Sequence, residues 1–351
     1  MVVRIGTAGD DNITEGDTND LILATQGGND TIDAGGGNNT VNSGNGNDTV
    51  TAGDGNDVIN AGNGTNTVNA GGGNNVVKTG NGNDAITTLG GSDVINAGNG
   101  TNTVNAGDGN NVVNTGTGDD TITTGSGRDV INAGNGTNNI TSGDGDDVIN
   151  TGTGNDTINA GGGNDIVNPG KGENTLDGGD GIDLLDFGGG TQGVTFTLQQ
   201  GAGPFDFDGT AAGLGLLHYS NFEGVIGTKY ADTLIGSDLA DVIKGGKGDD
   251  FIDGNGGADE LWGGHGADTF YYGVASDSPP SGPDHIKDFK SGVDVINIHD
   301  AIGGNPAHIN FTYDLVQKQT TIDVDIGNDG SIDLTLILEN VTAIFGGDIV
   351  S

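Results

Sequence analysis

The 351-residue chain has no cysteine, one methionine, one tryptophan and six prolines, and only ten Lys and Arg stand against 50 Asp and Glu. Without Cys there is neither a disulfide framework nor a thiolate metal site. With five His in all, zinc or copper is excluded as the organising chemistry. A formal charge of −40 argues against nucleic acid as a partner, since phosphates demand the opposite sign. No hydrophobic run is long enough to cross a bilayer, and Met1-Val2-Val3-Arg4-Ile5-Gly6 lacks the apolar core of a cleaved signal peptide. Motifs of catalysis are missing too. None of His218, His265, His285, His299 and His308 is followed by Glu, which rules out His-Glu-x-x-His, and neither a Gly-x-Ser-x-Gly elbow nor a phosphate loop occurs. The sequence is therefore expected not to be an enzyme.

What the chain has in excess is glycine, 73 residues of it, accompanied by Asn and Asp. From about residue 25 to 186 these recur every nine residues in the unit x-Gly-x-Gly-x-(Asp/Asn)-x-(Val/Ile/Leu)-x. Ser43 to Thr51, Ala52 to Asn60, Ala61 to Asn69 and Ala70 to Lys78 are successive copies without insertion. So short a period predicts a solenoid. The first six residues form a turn, because Gly, Asn and Asp accept the positive φ of a tight reversal. The last three, such as Val58-Ile59-Asn60, have a β-branched centre and form a very short strand. Alternation along that strand turns the eighth position inward, a set that runs from Val41, Val50 and Ile59 through Ile122 and Ile131 to Leu176 and Leu185. Two units close one coil, so residues eighteen apart stack as parallel strands about 4.8 Å apart.

One aliphatic side chain per nine residues buries too little apolar surface to offset the entropy of ordering the turn. A body this acidic also repels itself unless cations belong to it. Sixth-position carboxylates and the carbonyls of a glycine-rich turn make a flexible, all-oxygen donor set. That set suits calcium, a hard ion that takes six to eight oxygen ligands.

Gly245 to Asp253, reading Gly-Gly-Lys-Gly-Asp-Asp-Phe-Ile-Asp, and Gly263 to Tyr271, reading Gly-Gly-His-Gly-Ala-Asp-Thr-Phe-Tyr, resemble the nonapeptide of the RTX, or haemolysin-type, calcium-binding family. The resemblance covers nearly the whole chain. It implies an all-β fold, a right-handed parallel β-roll (β-solenoid) in two repeat blocks with a C-terminal β cap. It also implies several calcium ions lying between turns, held by carbonyls of both turns and by their sixth-position Asp. Carried onto this sequence, the metal residues are Asp30, Asp48, Asp57, Asp84, Asp93, Asp120, Asp129, Asp147, Asp156, Asp165 and Asp183 in the first block. In the second they are Asp232, Asp241, Asp250, Asp259 and Asp268, with the turn residues Gly245, Gly246, Lys247, Gly248, Gly254, Asn255, Gly256, Gly257, Gly263, Gly264, His265 and Gly266.

Turns alternate between the two edges of such a roll. On one edge the sixth position reads Asp30, Asp48, Asn66, Asp84, Asn102, Asp120, Asn138, Asp156, Asn174; on the other, Asn39, Asp57, Asn75, Asp93, Asn111, Asp129, Asp147, Asp165, Asp183. Over most of the block Asp and Asn alternate, a super-repeat of thirty-six residues. An amide offers one oxygen and an NH2 that cannot ligate a cation. The Asn turns are therefore expected to lower site charge and affinity, or to leave alternate clefts empty with the amides hydrogen-bonding as a ladder. The plain alternative is that these Asn residues only form good turns.

The outward positions differ between the two sheets. One carries Thr49/Thr51, Thr67/Asn69, Thr103/Asn105 and Thr121/Thr123; the other carries Val58, Val76, Val94, Val112, Val130, Val148 and Ile166. The Thr/Asn face resembles those of ice-binding solenoids, and the Val face is a candidate for self-association. Four segments are expected: a first roll over 1–186, a non-repeat spacer packing on it over 187–225, a second repeat block over 226–275, and a C-terminal β cap with secretion signal over 276–351. Within the last, His285-Ile286-Lys287-Asp288-Phe289 onward resembles the C-terminal portion of serralysin-type RTX proteins. Asp348-Ile349-Val350-Ser351 is similar to the ending that directs such proteins through bacterial type I secretion without an N-terminal signal. The resemblance thus implies a chain that is metal-free and unfolded inside the cell and folded by calcium outside it. The expected role is extracellular, structural or adhesive, with a cell surface or polysaccharide as partner. Ice binding through the Thr/Asn face and membrane activity are the alternatives.

Overall fold

The computed structural model describes residues 1–200, 205–209, 212–345 and 347–351. It divides into two compact units, Met1–Asp183 and Leu184–Ser351. The first contains no aromatic residue at all, while all sixteen aromatics lie in the second.

In the first unit, strands of three to six residues, with one of nine at Gly172–Asp180, alternate between two parallel ladders. One ladder runs Thr40↔Val58↔Val76↔Val94↔Val112↔Val130↔Val148↔Ile166. The other runs Thr31↔Thr49↔Thr67↔Ala85↔Thr103↔Thr121↔Asn139↔Thr157↔Thr175. Every step is eighteen residues, so the nine-residue period sets the lateral register directly. Earlier, Leu21 pairs with Thr40 and Asn12 with Thr31, steps of nineteen. The extra residue is taken up in the turn between Ala24 and Asp30, where the sequence slips by one.

Strand alternation predicts one inward side chain per repeat, but three are buried. In the copy Ala61 to Asn69 they are Ala61, Asn66 and Val68, none more than 1% exposed. The small first residue closes the layer beneath the aliphatic eighth, and the sixth lies at the corner of the coil. Glycine is obligatory where coils stack. At Gly62 (φ 70°) and Gly64 (φ 131°), an added Cβ would lie 1.6 and 1.8 Å from the carbonyl oxygens of Gly44 and Gly46 one coil below. Arg4 pairs in register with the buried Ile22 but is itself exposed, and its guanidinium pairs with Glu15.

The second unit keeps two parallel ladders but interrupts the period. One joins Leu184–Asp186, Gly224–Ile226, Val242–Lys247, Glu260–His265, Asp284–Ile286 and Leu334–Glu339. The other joins Thr195–Thr197, Thr233–Ile235, Phe251–Asp253, Thr269–Tyr271, Val295–Asn297 and Ile349–Val350. Among the described residues of 187–225, only Phe205–Asp208 and Gly215–Ser220 form an antiparallel hairpin. Its neighbours Thr195–Thr197 and Gly224–Ile226 are rungs of the ladders themselves. Phe187, Phe196, Phe207 and Tyr219 pack ring against ring at centroid distances of 4.8 to 5.8 Å, so aromatics fill this part of the core. Ala307–Asp314, Gln319–Ile326 and Leu334–Glu339 make an antiparallel meander.

Candidate metal centre

The sixth-position side chains are buried, although they are the most polar residues of each repeat: Asp48, Asp57, Asp147 and Asp165 are 1% exposed or less. Each is fixed by one hydrogen bond from the neighbouring coil. The N–H of Asp30 donates to Asp48 Oδ1 at 2.9 Å, that of Asp48 to Asn66 Oδ1 at 3.0 Å and that of Asn66 to Asp84 Oδ1 at 2.8 Å. The same link runs on through Asn102, Asp120, Asn138 and Asp156 to Asn174. On the second edge it joins Asn39, Asp57, Asn75, Asp93, Asn111, Asp129, Asp147, Asp165 and Asp183. The sixth positions taken from the sequence thus form two continuous columns.

Oδ1 is satisfied in this way; Oδ2 is not. In Asp30, Asp48, Asp57, Asp84, Asp93, Asp120, Asp129, Asp147, Asp156 and Asp165 the second carboxylate oxygen is buried and has no hydrogen-bond partner. A buried polar atom without a partner is costly, and a charged one more so. The carboxyls respond accordingly. Burial, helped by like charge from Asp129 and Asp165 and opposed by the Asp129 N–H, pushes Asp147 up to about 7. Burial likewise lifts Asp57 and Asp165 to about 6, and raises Asp84, Asp93, Asp120 and Asp156.

In the second unit the columns are Asp232–Asp250–Asp268–Asp294 and Asp241–Asp259–Asp284. Oδ2 is again buried and unpartnered in Asp250, Asp259, Asp268 and Asp284. Burial raises Asp250 to about 7 and Asp259 to about 9, the latter with Asp284 adding like charge. The first glycine of each turn leaves room beside that oxygen. A Cβ on Gly245, Gly254 or Gly263 would lie 2.4, 2.2 or 2.3 Å from Oδ2 of Asp250, Asp259 or Asp268. Of the remaining turn residues, the glycines of 246–248, 256–257 and 264–266 bring only main chain to these corners, while Asn255 Nδ2 donates to Gly236 O of the neighbouring coil at 2.8 Å. Lys247 and His265 project their side chains to solvent.

Asp232 and Asp241 are a different kind of residue. Their Oδ2 accepts the N–H of Thr228 and of Ser237, each at 2.6 Å, and Asp232 Oδ1 also accepts the Thr228 hydroxyl at 2.9 Å. Both turns lack the Gly-x-Gly of the repeat, so the carboxylate caps its own turn instead. Two column members, Asp284 and Asp294, escape the sequence pattern, because the chain inserts seven or eight extra residues before them. Their one visible signal is the strand start itself, Asp284-His285-Ile286 and Asp294-Val295-Ile296, an acid two residues before an inward aliphatic.

Among the described residues no three Asp, Glu or His side chains converge as a metal site of their own. An ion in these turns would take one or two carboxylate oxygens and otherwise main-chain carbonyls, a donor set of hard oxygens. The buried, unpartnered Oδ2 atoms fit that role. When bound, the cation supplies the positive charge that the corners lack.

A parallel solenoid with columns of buried carboxylates at its turns defines the class: a calcium-binding β-roll. The chain belongs to the RTX family, whose calcium-binding nonapeptide repeat matches residues 16–50, 43–77, 78–113, 105–140, 114–149 and 141–176. The serralysin C-terminal family of peptidase M10 matches residues 174–349. These repeats bind multiple calcium ions. No curated protein matches the chain. The R3 subunit of the Azotobacter vinelandii mannuronan C5-epimerase, known from a solution structure, is 25% identical over 35% of this chain and 78% of that one. Its TM-score of 0.26 is too low to bear on fold or activity.

Proposed function

We propose that the chain is a secreted calcium-folded scaffold, exported by type I secretion and acting outside the cell as a structural or adhesive protein rather than as a catalyst. The column of buried carboxylate oxygens without partners supports this reading. Such corners close only where calcium is abundant, and that is outside the cell rather than in the cytosol. The metal residues are the sixth-position Asp of the glycine-rich turns: Asp30, Asp48, Asp57, Asp84, Asp93, Asp120, Asp129, Asp147, Asp156, Asp165 and Asp183 in the first unit, and Asp250, Asp259 and Asp268 in the second. Carbonyls of the same turns complete the coordination.

Folding lays out flat, repetitive surfaces. Val58, Val76 and Val94 stand in one row, 44 to 49% exposed, an apolar stripe fitted to a second copy or another surface. A calcium titration followed by circular dichroism and sizing, with binding to polysaccharide and to cells in calcium and in chelator, tests the proposal. A polypeptide with the same β-rich spectrum in chelator, or one that binds neither itself nor any surface in calcium, would overturn it. A second reading rests on the opposite ladder, where Thr31, Thr49, Thr67, Thr103, Thr121, Thr157 and Thr175 form an exposed row broken by Ala85 and Asn139. That row would bind ice, and thermal hysteresis of the calcium-loaded protein separates it from the first reading.

A further inference from the structure

The Asn turns solve the same corner without an ion. Asn and Asp both use Oδ1 to accept the N–H one coil earlier, so the amide nitrogen of one and Oδ2 of the other are the same branch of the side chain. In the Asp turns that branch has no partner. In the turns of Asn39, Asn66, Asn75, Asn102 and Asn111 it is engaged with two carbonyls of its own turn, whereas Asn138 Nδ2 donates to Gly136 O and to Asp156 Oδ1 of the next coil, and Asn174 Nδ2 to Pro169 O. Asn111 Nδ2 donates to Gly107 O at 3.1 Å and Gly109 O at 3.0 Å, and Asn66 Nδ2 to Gly62 O and Gly64 O, each at 3.2 Å. Asn39, Asn75 and Asn102 reach the carbonyls of the second and fourth residues of their turns in the same way. Asn39 Nδ2 also donates to Ala52 O of the next coil at 3.3 Å, so it spans the cleft.

Two further features follow the same alternation. The first residue is Ala in the turns of Asn66, Asn75, Asn102, Asn111 and Asn138, but Thr in those of Asp84, Asp93, Asp120 and Asp129. Thr79, Thr88 and Thr115 donate their hydroxyls at 2.6 Å to the carbonyls of Ala97, Ala106 and Ala133 one coil on. The second residue is left-handed in the Asn turns, as at Gly62, Gly71, Gly98 and Gly107. In the Asp turns that open with Thr it is not, and Leu89 is accommodated there. Whole coils therefore alternate: 66 and 75 amide, 84 and 93 carboxylate, 102 and 111 amide, 120 and 129 carboxylate.

We propose that the Asn amide is a built-in substitute for calcium: its two N–H groups bind the turn carbonyls that a cation would otherwise draw together. The amide coils are then complete without metal, and ions load only at the carboxylate coils. The inference rests on the calcium reading of the Asp turns and adds which turns stay free.

The test uses the full-length chain, dialysed to equilibrium in calcium, with bound ions counted by atomic emission. Asn111→Asp should bind one ion more than the parent, and Asp147→Asn at least one fewer. If Asp147→Asn loses none, the calcium reading of the Asp turns fails. If Asp147→Asn loses an ion and Asn111→Asp gains none, the substitution proposal alone is overturned. Should Asn111→Asp not fold, crystals of the parent grown in calcium decide. Anomalous peaks are expected beside Asp147 Oδ2 and absent beside the Asn111 amide. An ion bonded to both Gly107 O and Gly109 O would refute the proposal.

Discussion

If cations act by neutralising buried carboxylates, protons should replace them. Asp147 shows the size of the effect. Its carboxyl ordinarily titrates at 3.8 and is pushed to about 7 in the folded, metal-free chain. One pKa unit is worth about 1.4 kcal/mol, so at pH 7 this single group disfavours the metal-free fold by on the order of 4 kcal/mol. At pH 5 roughly 2 kcal/mol of that is relieved. The sign is fixed by the direction of the shift. A carboxyl raised on folding contributes stability that is whole below its unfolded value near 4 and is lost as pH rises through its folded value. The columns share this behaviour, with Asp57 and Asp165 at about 6, Asp250 at about 7 and Asp284 at about 8. Protein stripped of calcium on a chelating resin should therefore gain β structure and compact between pH 8 and pH 5. The calcium midpoint should rise over the same interval, because protons compete for the same oxygens. Far-UV circular dichroism with size-exclusion chromatography at each pH reads both. A metal-free chain equally unfolded at pH 5 and pH 8, or equally folded at both, would refute the reasoning.

Gly118→Ala places a Cβ 2.1 Å from Gly100 O at a φ of 141° and should cost about 3 kcal/mol or more, whereas Gly90→Ala meets nothing within 4 Å and should stay within about 0.5 kcal/mol; thermal melts in calcium compare them. Ile131→Ala, at a fully buried position, should cost about 2–5 kcal/mol. Because each coil touches only its neighbours, hydrogen exchange should rise first in the coils flanking residue 131. Trp262, the single tryptophan, lies 5.2 Å from the Lys244 ammonium and 5.9 Å from that of Lys287 and reports the second unit alone. With Asp in consecutive coils there, its emission should change at lower calcium than the far-UV signal of the first unit, and coincident midpoints would contradict this.

Most of the architecture was legible because a solenoid is local. The residue that stacks on Val58 is Val76, eighteen positions on, so a nine-residue period carries the register, the ladders and the columns at once. Three features were not legible, each for a physical reason. The burial of Ala61 and its equivalents depends on how tightly successive coils stack, which residue type alone does not show. The capped state of Asp232 and Asp241 depends on whether the turn offers an N–H, as Thr228 and Ser237 do where Gly-x-Gly is missing. Asp284 and Asp294 were hidden because an inserted loop breaks the period in sequence without breaking the column in space.

The alternation of coils also bears on how the roll forms. In a repeat protein, stability is close to a sum of each coil's own terms and its interfaces with its two neighbours. A run of carboxylate coils would place uncompensated charge on both sides of every interface until ions arrive, so folding would await several binding events together. Between Asn66 and Asn111, each carboxylate coil instead sits between amide coils whose corners are already hydrogen-bonded. Each such interface then needs neutralisation from one side only. Ion loading in this stretch should be nearly independent from coil to coil. In the run Asp129–Asp147–Asp165–Asp183, where no amide intervenes on that edge, neighbouring ions should be strongly coupled. The amides thus set cooperativity as well as charge. Replacing Asn75 and Asn111 together by Asp should steepen the calcium dependence of folding, and an unchanged slope would separate cooperativity from the alternation.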